Sequence, residues 1–240
     1  MQIEFIAHAT FLLQLDDGRR IIIDPYKSNE FSGRFNYPPF KAQCDVVCIT
    51  HEHIDHSYTG DLWGNFRIVR DQYEDEGLRI SSVRACHDTV GGTRFGGYID
   101  MKIIEADGLR LCHAGDLGEI LSDEQVDALA AIDILILPVG GYYTIDAAQA
   151  LENAAKVAPK MLIPCHYASS LCTLPIAPLS AFTQLIDTYS EADLWRQGVD
   201  AFSKVLLLRE RVIASHESFF TTKSPKGSKS FFYHEKHERH

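Results

Sequence analysis

Apolar and polar positions alternate in short blocks through the first half of the chain and take on helical spacing in parts of the second. Ile3 to Leu15 reads as one extended segment, Asp16-Asp17-Gly18 as a hairpin turn, and Arg19 to Asp24 as the returning strand, stopped by Pro25. Residues 26–42 hold Gly33, Pro38, Pro39 and several aromatics, the composition of a loop that lies over something. Val46 to Thr50 is the length and composition of a buried strand. Further strands are expected near 67–70, 80–86, 97–105 and 109–113, the last pair joined by a turn at Ala106-Asp107-Gly108.

Helical signals come next. Ser122-Asp123-Glu124-Gln125 has the form of a capping box and predicts a short helix to about Ala131. Ile132 to Val139 is a continuous apolar strand ended by Gly140-Gly141. Thr144 is the expected cap of an alanine-rich helix through Ala158, stopped by Pro159. Met161 to Pro164 is another buried strand, Ser180 to Tyr189 a helix, and Lys204 to Glu210 a last strand. Hairpins in the first half and strand–helix alternation in the second predict an α/β fold, a layered sandwich of two sheets covered by outer helices.

The 240 residues are most simply one domain over 1–216, followed by a polar tail, 217–240, flexible or partner-bound. In that tail His234, His237 and His240 recur every third residue and read as incidental to a solvated terminus. No run is long enough to cross a membrane, and the N-terminus has no basic segment before an apolar core, so a cytoplasmic protein is expected. The net charge of −10 argues against a nucleic-acid or anionic membrane surface as principal partner. A small-molecule substrate is the expected partner, and homo-oligomers are compatible with the composition. Six cysteines show no disulfide-like spacing. Three precede a histidine directly, at Cys86, Cys112 and Cys165, so in strands they should point away from it into the core.

The candidate chemistry begins at Thr50-His51-Glu52-His53-Ile54-Asp55-His56, where a buried strand ends. His51 and His53, two residues apart on extended backbone, point to one face. Asp55 and His56 arrive as the chain turns and can reach a second centre nearby. Imidazole nitrogen and carboxylate oxygen are ligands for Zn²⁺ and similar divalent ions. Four ligands are too few for two metals, and other strand ends supply more: His87, His166, and Asp116 after Gly115, which lets the backbone come close.

With these residues on the page the chain resembles the metallo-β-lactamase superfamily. The resemblance rests on His51-x-His53-x-Asp55-His56, His87, Asp116 and His166. Ala7-His8-Ala9-Thr10-Phe11, Ile23-Asp24-Pro25, His113-Ala114-Gly115-Asp116, Pro138-Val139-Gly140-Gly141 and Pro164-Cys165-His166-Tyr167 are similar to one branch, metal-dependent hydrolases related to the ascorbate-6-phosphate lactonase. The resemblance implies an αββα sandwich with the site at one edge of the paired sheets. It implies two divalent ions, zinc expected and manganese or iron as alternatives. His51, His53 and His87 would hold the first, Asp55, His56 and His166 the second, with Asp116 bridging. Metal-activated hydroxide would attack a small ester, lactone or phosphodiester, and Asp55 would orient the water or pass a proton.

Asp24 is expected to hydrogen-bond a ligand histidine. His8 and His113 are candidates for substrate contact or proton transfer, and Tyr143 and Tyr167 for the pocket wall. Leu117 departs from the threonine of many relatives, and Cys165 and Ile145 stand where the branch often has methionine. Two other functions belong to related folds. Di-iron redox enzymes usually place glutamate where this chain has His53, and nucleic-acid-processing nucleases are disfavoured by the acidic balance.

Overall fold

The computed structural model describes residues 1–198, 200 and 202–211, so the tail 217–240 lies outside the described residues. The chain opens with β1 (Gln2–Ala7), β2 (Thr10–Gln14) and β3 (Arg20–Ile23), an antiparallel meander. Short strands β4 (Ala42–Gln43), β5 (Val46–Cys48), β6 (Leu62–Trp63) and β7 (Arg67–Val69) follow. A second meander comprises β8 (Tyr73–Asp75), β9 (Leu78–Cys86), β10 (Tyr98–Ala106) and β11 (Leu109–His113). Then come α1 (Asp123–Leu129), β12 (Ile134–Pro138), α2 (Ala147–Val157) and β13 (Met161–Cys165). The described elements close with α3 (Leu179–Thr183), β14 (Ser190–Ala192), β15 (Trp195–Arg196) and β16 (Leu206–Leu208).

Two mixed six-stranded sheets result, ordered β15-β1-β2-β3-β5-β7 and β13-β12-β11-β10-β9-β8. Period-two alternation decides what each face of the first sheet meets. Ile3, Phe5, Phe11, Leu13, Ile21, Ile23 and Cys48 join the core shared with Met101, Ile103 and Leu111 of the second sheet. The intervening Ile6, Leu12, Ile22 and Val47 face outward, onto Tyr26, Phe35, Tyr37, Phe40, Cys172 and Leu174. The aromatic loop after Pro25 therefore does lie over something, the outer face of a sheet. The expected sandwich stands, with α1 against β9 and α2 against β12. Among the described residues, loops rather than helices cover the first sheet.

The expected single extended segment, Ile3 to Leu15, breaks into two paired strands. His8 turns the chain with φ of 58°, and the register slips between Phe5 and Ala7. No glycine or proline marks this turn. Pairing of Phe5 with Phe11, whose rings stack at 4.7 Å, is what the break achieves. The turn at Asp107-Gly108 is as expected, both residues having positive φ in the tight hairpin that pairs Ala106 with Leu109.

The Ser122–Gln125 capping box opens α1 as expected. For α2 the cap is Asp146, not Thr144: Asp146 accepts from Gln149 N at 2.9 Å and Gln149 Oε1 accepts from Asp146 N at 3.1 Å. Thr144 is occupied, its hydroxyl donating to Ile145 O. The helix expected over 180–189 is only Leu179–Thr183, since Phe182 alone is buried and Leu185 already faces solvent.

A candidate two-cluster metal centre

The proposed ligands come from four strand ends along one edge of the sandwich. His51, His53, Asp55 and His56 follow β5, His87 follows β9, Asp116 follows β11 and His166 follows β13. The β5 loop is pinned twice, Lys27 N donating to Ile54 O and Tyr58 N to Pro25 O. Gly115 enters Asp116 at φ of +53°, and a Cβ there would lie 2.7 Å from Thr50 Oγ1, so only glycine fits. His8, Asp24 and His166 also have positive φ, at 58°, 47° and 52°. Such conformations cost on the order of 1 kcal/mol each and are held where surrounding contacts impose them.

The structure brings the side chains into two four-residue clusters, His51, His53, His87 and Asp116, then His8, Asp55, His56 and His166, with a smaller group of Asp24, His51 and His56 joining them. In the first, His53 Nδ1 is 3.1 Å from both His51 Nε2 and His87 Nε2. Asp116 lies between the clusters. Its Oδ2 is 3.3 Å from His87 Nε2 and 3.8 Å from His51 Nε2, while its Oδ1 is 3.1 Å from His56 Nε2 and 3.4 Å from His166 Nε2. Asp55 Oδ2 is 3.6 Å from His56 Nε2.

Burial pushes the His51 and His166 imidazoles down to about 3, so both are neutral and keep a lone pair for a ligand. Burial works against the Asp116 and Asp55 carboxylates, yet neighbouring histidines hold both well below the usual range. Burial also opposes charge on His56, but Asp116 and Asp55 prevail and raise its pKa. Buried His56 Nε2 and Asp116 Oδ1 make no hydrogen bond despite their proximity. Imidazole nitrogens and carboxylate oxygens converging in a buried edge are the donor set a divalent cation takes, so the residues fit a metal.

Asp24 organises both clusters from beneath. Its Oδ1 accepts from Thr50 N at 2.8 Å, and its Oδ2 accepts from Thr50 Oγ1 at 2.6 Å and from His56 Nδ1 at 2.9 Å. Because the Thr50 hydroxyl spends its proton on Asp24, its oxygen accepts from His51 Nδ1, 3.0 Å away. One carboxylate thus holds the Nδ1 proton on two histidines and leaves Nε2 as the atom each turns toward the clusters. Burial opposes its ionisation, but the His56 hydrogen bond keeps its pKa low.

His113 does not play the part expected of a substrate or proton contact. Its Nε2 donates to Ala9 O at 2.9 Å and its Nδ1 accepts from Gly115 N at 3.0 Å, so both nitrogens hold backbone. His8 is buried with neither ring nitrogen hydrogen-bonded, packs against His166 at 4.0 Å, and places Nε2 3.3 Å from Asp55 Oδ2. It reaches Asp55 and does not line the cavity. Tyr143 lines it, whereas Tyr167 is buried against Phe5. Leu117 is fully buried core. Cys112 and Cys165 are buried in the core as expected, whereas Cys86 is only half-buried and outside it; burial pushes the Cys112 thiol up to about 12. No cysteine joins a candidate metal cluster among the described residues.

Sequence reasoning passed over Thr50 as a partner, and Asp88, Arg94 and Phe95 altogether. Asp88 follows His87 and accepts four backbone N–H groups, from Val90, Gly92, Arg94 and Phe95, at 2.8–3.0 Å. Burial opposes its charge, but those N–H groups hold its pKa down. The glycine pairs at 91–92 and 96–97 are the signal that was there to read. Arg94 and Phe95 line, with His53, Asp55, His87, Asp116 and His166, a cavity of about 390 Å³ over the clusters.

A sandwich whose edge gathers histidines and aspartates from four strand ends defines a class. The chain belongs to the metallo-β-lactamase superfamily: the beta-lactamase superfamily domain is matched over residues 2–166. It is similar to a UPF0173 metal-dependent hydrolase of Archaeoglobus fulgidus, 29% identical over 200 residues, covering 70% of this chain and 83% of that protein. A structure from Thermotoga maritima, named as a Zn-dependent hydrolase of this superfamily, aligns with a TM-score of 0.70 and 29% identity, covering 86% of this chain and 97% of that one. CmlA, a diiron β-hydroxylase of Streptomyces venezuelae, shares the fold alone, with 12% identity and a TM-score of 0.53 over 73% of this chain and 46% of its own.

Proposed function

We propose that the protein hydrolyses a small ester, lactone or phosphodiester at a centre of two divalent ions, zinc by preference. The observation that carries the reading is Asp116, which turns one oxygen to each group of imidazoles. His51, His53, His87 and Asp116 would hold one ion, and Asp55, His56, His166 and Asp116 the other. Bound there, the ions supply Lewis acidity and bring the pKa of water toward neutrality.

The chain's own residues do the rest. Asp24 and Thr50 occupy Nδ1 of His56 and His51, so Nε2 is the atom each offers to an ion. Asp55 Oδ2, facing the cavity with His8 Nε2 3.3 Å behind it, is placed to take a proton from water and to hand it to the leaving group. The apolar walls at Phe31, Ile54, Phe95 and Leu174 exclude bulk water from the reacting carbonyl or phosphoryl group. Kinship with the lactonase branch belongs to this reading and rests on the flanking motifs. Free cysteines throughout the described residues support a reducing, cytoplasmic setting, and the charge of −10 a small soluble substrate.

Asp116→Ala tests it. The purified variant should lose two-ion binding by elemental analysis and all hydrolysis across a panel of esters, lactones and phosphodiesters. Unchanged turnover in that variant, or tightly held iron with redox activity in the wild type, overturns the reading.

A further inference from the structure

The cavity over the clusters has an unusual outer rim. Of the residues lining it, Arg94 is the one permanently charged cation. Its guanidinium lies 4.6 Å over the Phe95 ring and 5.2 Å over that of Tyr142. It forms no ion pair among the described residues. Both rings lie to one side of the guanidinium, their centroids 5.9 Å apart, and among the described residues no acceptor takes its N–H donors, which stay open to grip an oxyanion in a fork.

The loop presenting it is built rather than slack. Asp88 collects the N–H groups of Arg94 and Phe95 with those of Val90 and Gly92. Across its base Gly97 N donates to Gly92 O at 2.7 Å, and a Cβ on Gly92 would sit 2.0 Å from Gly97 O. Asp88 is bonded to His87, so the loop that carries the arginine is indexed directly to a residue of the first cluster. The same cavity has an apolar stretch of wall from Phe31, Ile54, Phe95 and Leu174.

We propose that the substrate carries a carboxylate remote from its scissile bond, and that Arg94 binds it. The proposal rests on the hydrolytic reading above and specifies the substrate for that site. A lone guanidinium balances one negative charge, so a carboxylate matches it, whereas a phosphate dianion exceeds it. The apolar stretch of wall calls for a short hydrocarbon segment between the carboxylate and the ester or lactone carbonyl.

The test compares p-nitrophenyl hydrogen glutarate with its methyl ester, which is neutral and otherwise alike. Wild-type enzyme should favour the acid in kcat/KM by about tenfold, the yield of one charge-assisted contact at a partly open site. Arg94→Gln should erase that ratio chiefly through KM of the acid, and Arg94→Lys should restore part of it. An acid-to-ester ratio that Arg94→Gln leaves unchanged, or an equal fall on both esters, overturns the proposal. Binding of monomethyl glutarate, followed by calorimetry, reads the contact without turnover. If wild type cleaves neither ester while Arg94→Gln still weakens this binding about tenfold, the hydrolytic reading fails and the carboxylate contact survives. Equal binding by both proteins overturns the contact.

Discussion

Asp24→Asn should disable the centre while leaving its shape intact. Asparagine keeps one oxygen for Thr50 N, but puts an NH₂ group where Oδ2 now accepts from Thr50 Oγ1 and His56 Nδ1. His56 Nδ1 must then present a lone pair, which moves its proton to Nε2, the atom 3.1 Å from Asp116 Oδ1. Thr50 must accept from the new amide and turn its own proton toward His51 Nδ1, forcing the same tautomer change on His51. Two ligand atoms would each have to lose a proton before a metal could bind. Partners of this kind are worth about 10–100-fold in metal affinity, roughly 1.4–2.8 kcal/mol. Titrating the metal-free variant with Zn²⁺ against a competing chelator measures that loss. Circular dichroism of the metal-free protein should be unchanged, because a neutral amide of the same size fills the buried position. Wild-type affinity and stoichiometry in Asp24→Asn would refute the tautomer argument.

Removing the brace in Asp88→Ala should free the loop and leave the sheets alone. The four amides it holds lose hydrogen-exchange protection, β9 and β10 keep theirs, and global stability falls by about 2 kcal/mol. Protection that persists at Gly92, Arg94 and Phe95 would contradict the assignment. Glu210 gives a pH prediction. Burial, opposed by hydrogen bonds from Tyr37 and His8 N, raises its pKa from 4.5 to about 7. A carboxyl raised on folding is most favourable while protonated, so its contribution is complete below 4.5 and is lost as pH climbs to about 7. The loss is roughly 3 kcal/mol. Glu210→Gln removes this titration, so the decline in stability between pH 5 and pH 8 should be about that much shallower in urea denaturation. Parallel profiles for the two proteins would exclude it.

The sandwich was legible because strands buried on both faces read as apolar runs, as at Ile134–Pro138 and Met161–Cys165. The candidate metal-binding positions were legible for a related reason: polar residues that abruptly end such runs stand at a sheet edge. What escaped depends on contacts made far along the chain. The His8 turn has no turn residue and exists because Phe5 and Phe11 pair, and because Glu210 Oε1 accepts from His8 N across 202 positions. His113 looked like chemistry because it shares a motif with Asp116, but its neighbours' backbone occupies both nitrogens. The Asp88 brace is invisible to periodicity, since its partners are main-chain amides, which every sequence supplies. Thr144 and Asp146 are both sound caps, and only the path out of Gly141 decides between them.

The bond between Glu210 and the His8 backbone has a temporal consequence. The first hairpin and the last described segment clasp one another, and the N-terminal amine is held by Asp16 and Asp107 besides. During synthesis the β5 histidines emerge long before residue 210 exists, so the nascent protein displays metal-seeking groups without the frame that aligns them. Alignment of these groups therefore waits for residue 210 to emerge, and a chain cut short before Glu210 leaves the turn beside Asp55 unclasped.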